Sequence, residues 1–312
     1  MKRLIFTLVF CLFGASFLSA QEAPSLVERL GFSPDARLLI INVDDFGMCH
    51  SANMGTLRGF KANGVSSATV MTCCPWFLEA AKMCKENSEF NVGVHTVLTS
   101  EWNVYKWGPV LGWKAVPSLC TDMGYFHKDI VPIYLSAKPE EADREVRAQI
   151  DRALQAGIDI THIDSHMGAM QYDQRFLEVY AKIARDYNLP CRMPSRAFLE
   201  KLLGKGDVMD LFDKHGVLHP DELVLGGPKK PEETETWWKK AIENQPKGTV
   251  MELYIHSADD SEEMKMFTGS QRQRYADTEF FSDPATVQWI KDQGIKLISY
   301  KELRDLQQAE KP

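Results

Sequence analysis

Beyond its first twenty residues the chain alternates short apolar runs with longer segments of helical period. Arg37–Val43 (RLLIINV) is a near-continuous run of Leu, Ile and Val that ends on Asp44, the pattern of a strand covered on both faces. Ser67–Thr72, Asn91–His95, Ile160–Ser165, Thr249–His256 and Ile295–Ser299 read the same way. Between them, Pro139–Ala156 carries Glu and Asp early, spaces Ala, Ile and Leu at helical intervals, and stops at Gly157, which predicts a helix. Arg175–Tyr187 and Pro284–Gln293 predict two more. Repeated strand-then-helix units predict a parallel sheet. Their number suits one α/β barrel or barrel-like variant, placed at residues 34–308.

One stretch fits no unit. Thr99–Lys138 is long and irregular, with Pro and Gly scattered through it and Trp102, Tyr105, Trp107, Trp113 and Tyr125 along it. A connection of that length is functional or disordered, and its aromatic content argues against disorder.

The first twenty residues are a separate object. Lys2 and Arg3 precede the apolar run Leu4–Phe13, and small residues follow up to Ala20. This is the pattern of a secretory signal peptide, residues 1–20, with export to the periplasm or beyond the cell as the expectation. The run is short for a membrane span of about 20 residues, so no stable span is expected after cleavage. Six cysteines would remain, an even number that permits disulfides in an exported chain.

Composition narrows the partners. The 312 residues are 44% hydrophobic and 25% charged, with 36 Lys plus Arg against 43 Asp plus Glu. That is ordinary globular composition. A net charge of −7 with no basic cluster excludes a general nucleic-acid binder.

Three predicted strands end in metal-ligand residue types. The first ends N-V-D-D-F-G with Asp44 and Asp45, the second G-V-H-T with His95, and the third T-H-I-D-S-H with His162, Asp164 and His166. Ligands and catalytic groups of parallel α/β folds collect at the carboxyl ends of strands. Alternation puts His162, Asp164 and His166 on one side of their strand. His166, at the end, is best placed to reach a cavity, and the other two lie behind it, where they could orient it. Asp44 and Asp45 point to opposite sides if the strand stays regular, so they are expected to differ in role. Two His and one Asp leave open positions on a metal, as in catalytic zinc or a 2-His-1-carboxylate iron site. A second carboxylate could act as general base, and His256 ends its strand on the same presumed rim.

In this order, N-V-D-D-F-G, G-V-H-T-V-L-T and T-H-I-D-S-H resemble the YdjC-like family of carbohydrate deacetylases, over about Leu38–Leu303. The resemblance implies a distorted (β/α) barrel and one divalent metal ion, Mg²⁺ or Zn²⁺ being expected. It implies removal of an acetyl group from an N-acetylated saccharide. Carried over by position, Asp45, His95 and His166 would hold the metal, Asp44 would be the general base, and Arg192 in Pro190–Pro194 would contact substrate. His256 would be the acid, although Ser257-Ala258-Asp259 follow it where the family tends to have H-P-G. Met167-Gly168 also stand where further His is common, and the late Arg-containing segment is approximate at Arg274, Asp277 and Glu279.

Trp102 and Trp107 of the irregular stretch offer flat faces for sugar rings. Two rivals stay open at this point, a non-catalytic exported glycan-binding protein of the same fold and a non-haem iron enzyme using the same triad. The sugar, the metal, the disulfide pairing and the oligomeric state, a homodimer among the choices, are not legible.

Overall fold

The computed structural model describes residues 23–204 and 208–310; the expected signal peptide lies outside them. Seven strands build one parallel sheet: β1 (Arg37–Phe46), β2 (Ser67–Val70), β3 (Val92–Thr96), β4 (Ile160–Ser165), β5 (Glu222–Val224), β6 (Thr249–His256) and β7 (Ile295–Leu297). Their order is β4-β3-β2-β1-β6-β5, with β7 paired to the start of β1. Every pairing is parallel, and helices fill the crossovers. The result is a single α/β domain whose curled sheet forms a distorted, incomplete (β/α) barrel. β1 is its axis, and its run of Leu, Ile and Val is buried almost throughout, as a strand covered on both faces requires.

Six predicted strands and three predicted helices are present, with ends displaced by up to three residues. The helix Pro139–Gln155 starts on Pro at its first turn, and Gly157 follows with φ 81°. β5 was not predicted, because a run of three residues, Glu222–Val224, is too short to carry a periodic signal.

Among the described residues no regular strand stands between β4 and β5, and the segment Pro190–Arg192 lies there. Ile163 N–H donates to the Pro190 carbonyl, Arg192 N–H to the Ile163 carbonyl, and Cys191 N–H to the Leu218 carbonyl. These bonds bridge from β4 toward the approach to β5, and they hold Arg192 at the inner wall.

The irregular connection Thr99–Lys138 is ordered, and one helix explains why. Along Pro139–Gln155 the buried residues Glu141, Glu145 and Gln149, one turn apart, face this connection. Glu141 accepts from Ser118 N and Oγ, both at 2.8 Å, and Glu145 from Val110 N at 2.8 Å and Leu111 N at 3.1 Å. Gln149 pairs with both backbone groups of Val97 at 2.8 Å. Free backbone groups that would otherwise be buried unpaired are thereby satisfied. Among the described residues all six cysteines are free thiols, and no helix is long and apolar enough to cross a membrane.

Candidate metal centre and active site

At the carboxyl end of β1 the ladder with β2 loses register between Val43 and Phe46. This β-bulge coincides with Asp45, whose φ of 66° is left-handed, a conformation uncommon outside glycine and best tolerated by Asp and Asn. A regular strand would send Asp44 and Asp45 to opposite faces; with the bulge, both line the same cavity. That corrects the expectation drawn from strict alternation. β3 delivers His95, and the turn after β4 delivers His166, where Met167 and Gly168 are also left-handed.

Three ligand-type atoms converge there. Asp45 Oδ1 is 3.5 Å from His95 Nε2 and 3.5 Å from His166 Nδ1, and the two ring nitrogens are 3.2 Å apart. Atoms bound about 2.0–2.2 Å from a tetrahedral ion lie roughly 3.3–3.6 Å from one another. Asp45 Oδ1 is buried and has no hydrogen-bond partner in the protein, a costly state for a carboxylate oxygen that a cation relieves. The residues therefore fit a divalent metal ion.

The surroundings agree. Asp44, Asp45, Glu101 and Asp164 stand against two guanidinium groups, Arg192 and Arg274, an excess of negative charge that a cation offsets. Burial opposes charge on His166, yet the Glu101 and Asp45 carboxylates outweigh it and hold the ring well above the usual histidine range. Negative charge that favours a proton there also favours a bound cation.

Each imidazole is oriented by its own carboxylate. His95 Nδ1 meets Asp164 Oδ1 at 2.7 Å, and His166 Nε2 meets Glu101 Oε2 at 3.0 Å. Parallel register places Asp164 directly beside His95, so Asp164 orients His95 and not His166 as alternation along β4 suggested. His162 serves neither: it is buried, stacks on Tyr300 at 3.7 Å between ring centroids, and is held neutral by burial and by Arg192 nearby. Glu101 comes from the irregular connection and carried no sequence signal as a His partner.

Asp45 Oδ2 accepts from Arg274 Nη2 at 2.8 Å. Burial would raise the Asp45 carboxyl, but Arg274 and His166 keep it well below the usual range. Asp44 is gripped by Arg192 through two 2.7 Å hydrogen bonds, one to each oxygen, and also accepts from Asn42 Nδ2 at 2.9 Å. Burial raises its pKa, and Arg192, then His95, overcome that and hold Asp44 ionised. A second grouping of Asp44, His95 and Asp164 shares this place, but Arg192 already occupies both carboxylates with its positive charge.

Arg192 contacts Asp44, Asp164 and Glu252 and is buried. Its guanidinium lines the cavity and is engaged there by these three carboxylates. Burial pushes Glu252 up to about 7 despite Arg192 beside it. His256 ends β6 in register with Asp44 and lines the cavity; burial and the Arg274 charge lower its pKa. Neither expected indole lines the cavity. Trp107 is buried, donates from Nε1 to the Thr99 carbonyl at 2.8 Å, and sits edge-on to His166 at 6.0 Å. Trp102 packs on Trp107, Tyr105 and Phe267. The lining of the cavity, about 370 Å³, also includes Met167, Tyr172, Leu223, Leu225 and Tyr254.

The curled parallel sheet makes this an α/β barrel whose Asp-His-His group, at the carboxyl rim of its strands, could hold a metal ion. Comparison with known proteins narrows this: a family model described as YdjC-like protein matches residues 38–292, and the chain belongs to that family. It is 30% identical over 268 residues to the carbohydrate deacetylase of Brevibacillus brevis, covering 85% of this chain and 99% of that one. It is 31% identical over 268 residues to the carbohydrate deacetylase of Enterococcus faecalis, covering 85% and 97%. Among solved structures, a candidate cellobiose-phosphate cleavage protein of Enterococcus faecalis V583 superposes with a TM-score of 0.73 at 26% identity, covering 86% of this chain and 99% of that one.

Proposed function

We propose that this chain is a metal-dependent carbohydrate deacetylase that hydrolyses the acetamide of an N-acetylated saccharide to acetate and a free amine. The observation that carries the reading is the convergence of Asp45 Oδ1, His95 Nε2 and His166 Nδ1 beside the ionised Asp44. The names of the Brevibacillus and Enterococcus relatives support the substrate class. We also propose that the chain is exported, on the strength of its first twenty residues alone.

Asp45, His95 and His166 would hold the divalent cation, which when bound supplies an acidified water and polarises the acetyl carbonyl. Asp44 accepts a proton from the attacking water; Arg192 keeps it ionised and oriented for that task. His256 is held neutral by burial and Arg274. It can protonate the departing amine once it has taken up the proton that Asp44, its register neighbour, has collected. Tyr172, Tyr254, Leu223 and Leu225 of the cavity lining offer apolar faces to a sugar ring.

The test is acetate release from a panel of N-acetylated mono- and oligosaccharides, with added divalent metal and with chelator. Release that chelator abolishes supports the reading. A metal-loaded protein that releases acetate from no member overturns it.

A further inference from the structure

Beneath the cavity lies a carboxylate that the proposed reaction does not use. Glu252 sits in the middle of the apolar strand β6, between Ile40 of β1 and Leu223 of β5, and is fully buried. A leucine would pack equally well in such a strand, and a buried carboxylate is costly unless it is bound. Its partners show what the charge is for. Arg192 Nε donates to Oε1 at 2.8 Å, and the Tyr300 hydroxyl donates to Oε2 at 2.5 Å. Tyr300 is itself fixed, its backbone N–H donating to Ser67 Oγ at 3.1 Å and its ring stacked on His162.

A guanidinium is planar and rigid, so anchoring Nε sets the direction in which its fork points. Here the fork meets Asp44 with both terminal nitrogens, and Nη1 also lies 3.0 Å from Asp164 Oδ2. Asp164 in turn holds His95. One guanidinium thus touches both the candidate base and the carboxylate that orients a candidate ligand.

We propose that Glu252, locked by Tyr300, is a positioning residue that aims Arg192, so that a single guanidinium sets Asp44 and Asp164 together. The inference rests on the reading of Asp44 as proton acceptor.

The experiment compares wild type, Glu252→Ala, Glu252→Gln and Tyr300→Phe in the full metal-loaded chain. Its readouts are kcat and KM on β-1,4-linked N-acetylglucosamine dimer, bound metal, and the Arg192 Nε–H resonance by NMR. Glu252→Ala lowers kcat about 100-fold, the scale of an ångström-sized misplacement, with KM within about twofold and metal content unchanged. Glu252→Gln returns kcat to within about 10-fold of wild type, because its amide can accept from Arg192 and donate to the Tyr300 oxygen. Tyr300→Phe gives an intermediate loss and carries the test if Glu252→Ala does not fold. The slowly exchanging Nε–H signal is present in wild type and Glu252→Gln and lost in Glu252→Ala.

Unchanged kcat in folded Glu252→Ala or in Tyr300→Phe, or a loss confined to KM or metal content, overturns the inference. A wild type that releases acetate from no member of the saccharide panel overturns the functional reading instead. The resonance then decides the aiming role separately, since its persistence in Glu252→Ala refutes it.

Discussion

His95 and His166 present opposite ring nitrogens to one point, Nε2 from the first and Nδ1 from the second, 3.2 Å apart. The remaining nitrogen of each ring is held by a carboxylate, Asp164 at 2.7 Å and Glu101 at 3.0 Å. With a cation in the gap beside Asp45, His95 would offer Nε2 and His166 Nδ1 as ligands, while the carboxylate behind each ring holds its other nitrogen.

Metal affinity follows from that arrangement. His95→Ala, His166→Ala and Asp45→Asn each abolish stoichiometric binding of a divalent ion. Asp164→Asn and Glu101→Gln leave the ligands in place and weaken binding by about 10- to 100-fold. Zinc titration against a competing chelator measures both, and wild-type affinity in either carboxylate variant rules out the orienting role.

Arg192 is not replaceable by another cation. Lysine keeps the charge but cannot hold both oxygens of Asp44 while reaching Asp164 and Glu252. Arg192→Lys is expected to lower kcat by about 100-fold or more. Arg192→Met leaves buried carboxylates unpaired and destabilises the fold by about 3–5 kcal/mol. Denaturant melts and steady-state kinetics separate the two effects; an active Arg192→Lys enzyme would sink the argument.

Asp277 gives a pH-dependent term in stability. Buried in the helix Gln271–Ser282, it accepts from Trp238 Nε1 at 2.8 Å and Gln273 Nε2 at 3.1 Å, and burial pushes its pKa up from 3.8 to about 6. Between those values the native chain binds more protons than the unfolded one. Stability from this group is therefore lost as pH rises through that window, by about 3 kcal/mol at most. Asp277→Asn keeps the Oδ1 acceptor and removes the slope. Its Tm should match wild type near pH 4 and exceed it near pH 8; an equal difference at both would show that Asp277 titrates as an ordinary carboxyl.

Gly93 is required by a neighbour's backbone. A Cβ there would lie 2.5 Å from both the Nδ1 and the carbonyl oxygen of His162. The carbonyl belongs to the adjacent strand and cannot swing away. Gly93→Ala is expected to cost about 3 kcal/mol or more and to displace His95, two residues on. Thermal melts and metal titration of the variant check both consequences.

Much of this was legible in the sequence because the ligands close apolar strands. Asp45, His95 and His166 stand where β1, β3 and β4 run out, and order along the chain reveals that without coordinates. What stayed hidden depends on neighbours. Glu252 looks like one polar letter inside M-E-L-Y-I-H, and only cross-strand packing brings Arg192 and Tyr300 to it. Glu101 lies in a stretch without period, and its value comes from how the helix Pro139–Gln155 pins that stretch. Asp164 was read along its own strand, whereas its partner is set by the register of β3 with β4. Trp107, counted as a surface for sugar, spends its indole N–H on a backbone carbonyl in the interior.

The left-handed turn at Asp45 bears on how this site can change over evolutionary time. Its φ of 66° admits Asp, Asn and Gly readily and most other residues at a cost. Selection for chemistry and selection for backbone shape thus act on the same position but permit different sets. A lineage that relinquished catalysis while keeping the barrel is expected to drift to Asn or Gly at 45 and not to Ala, Ser or Glu. The residue found there in a distant descendant would record whether its metal centre was still in use.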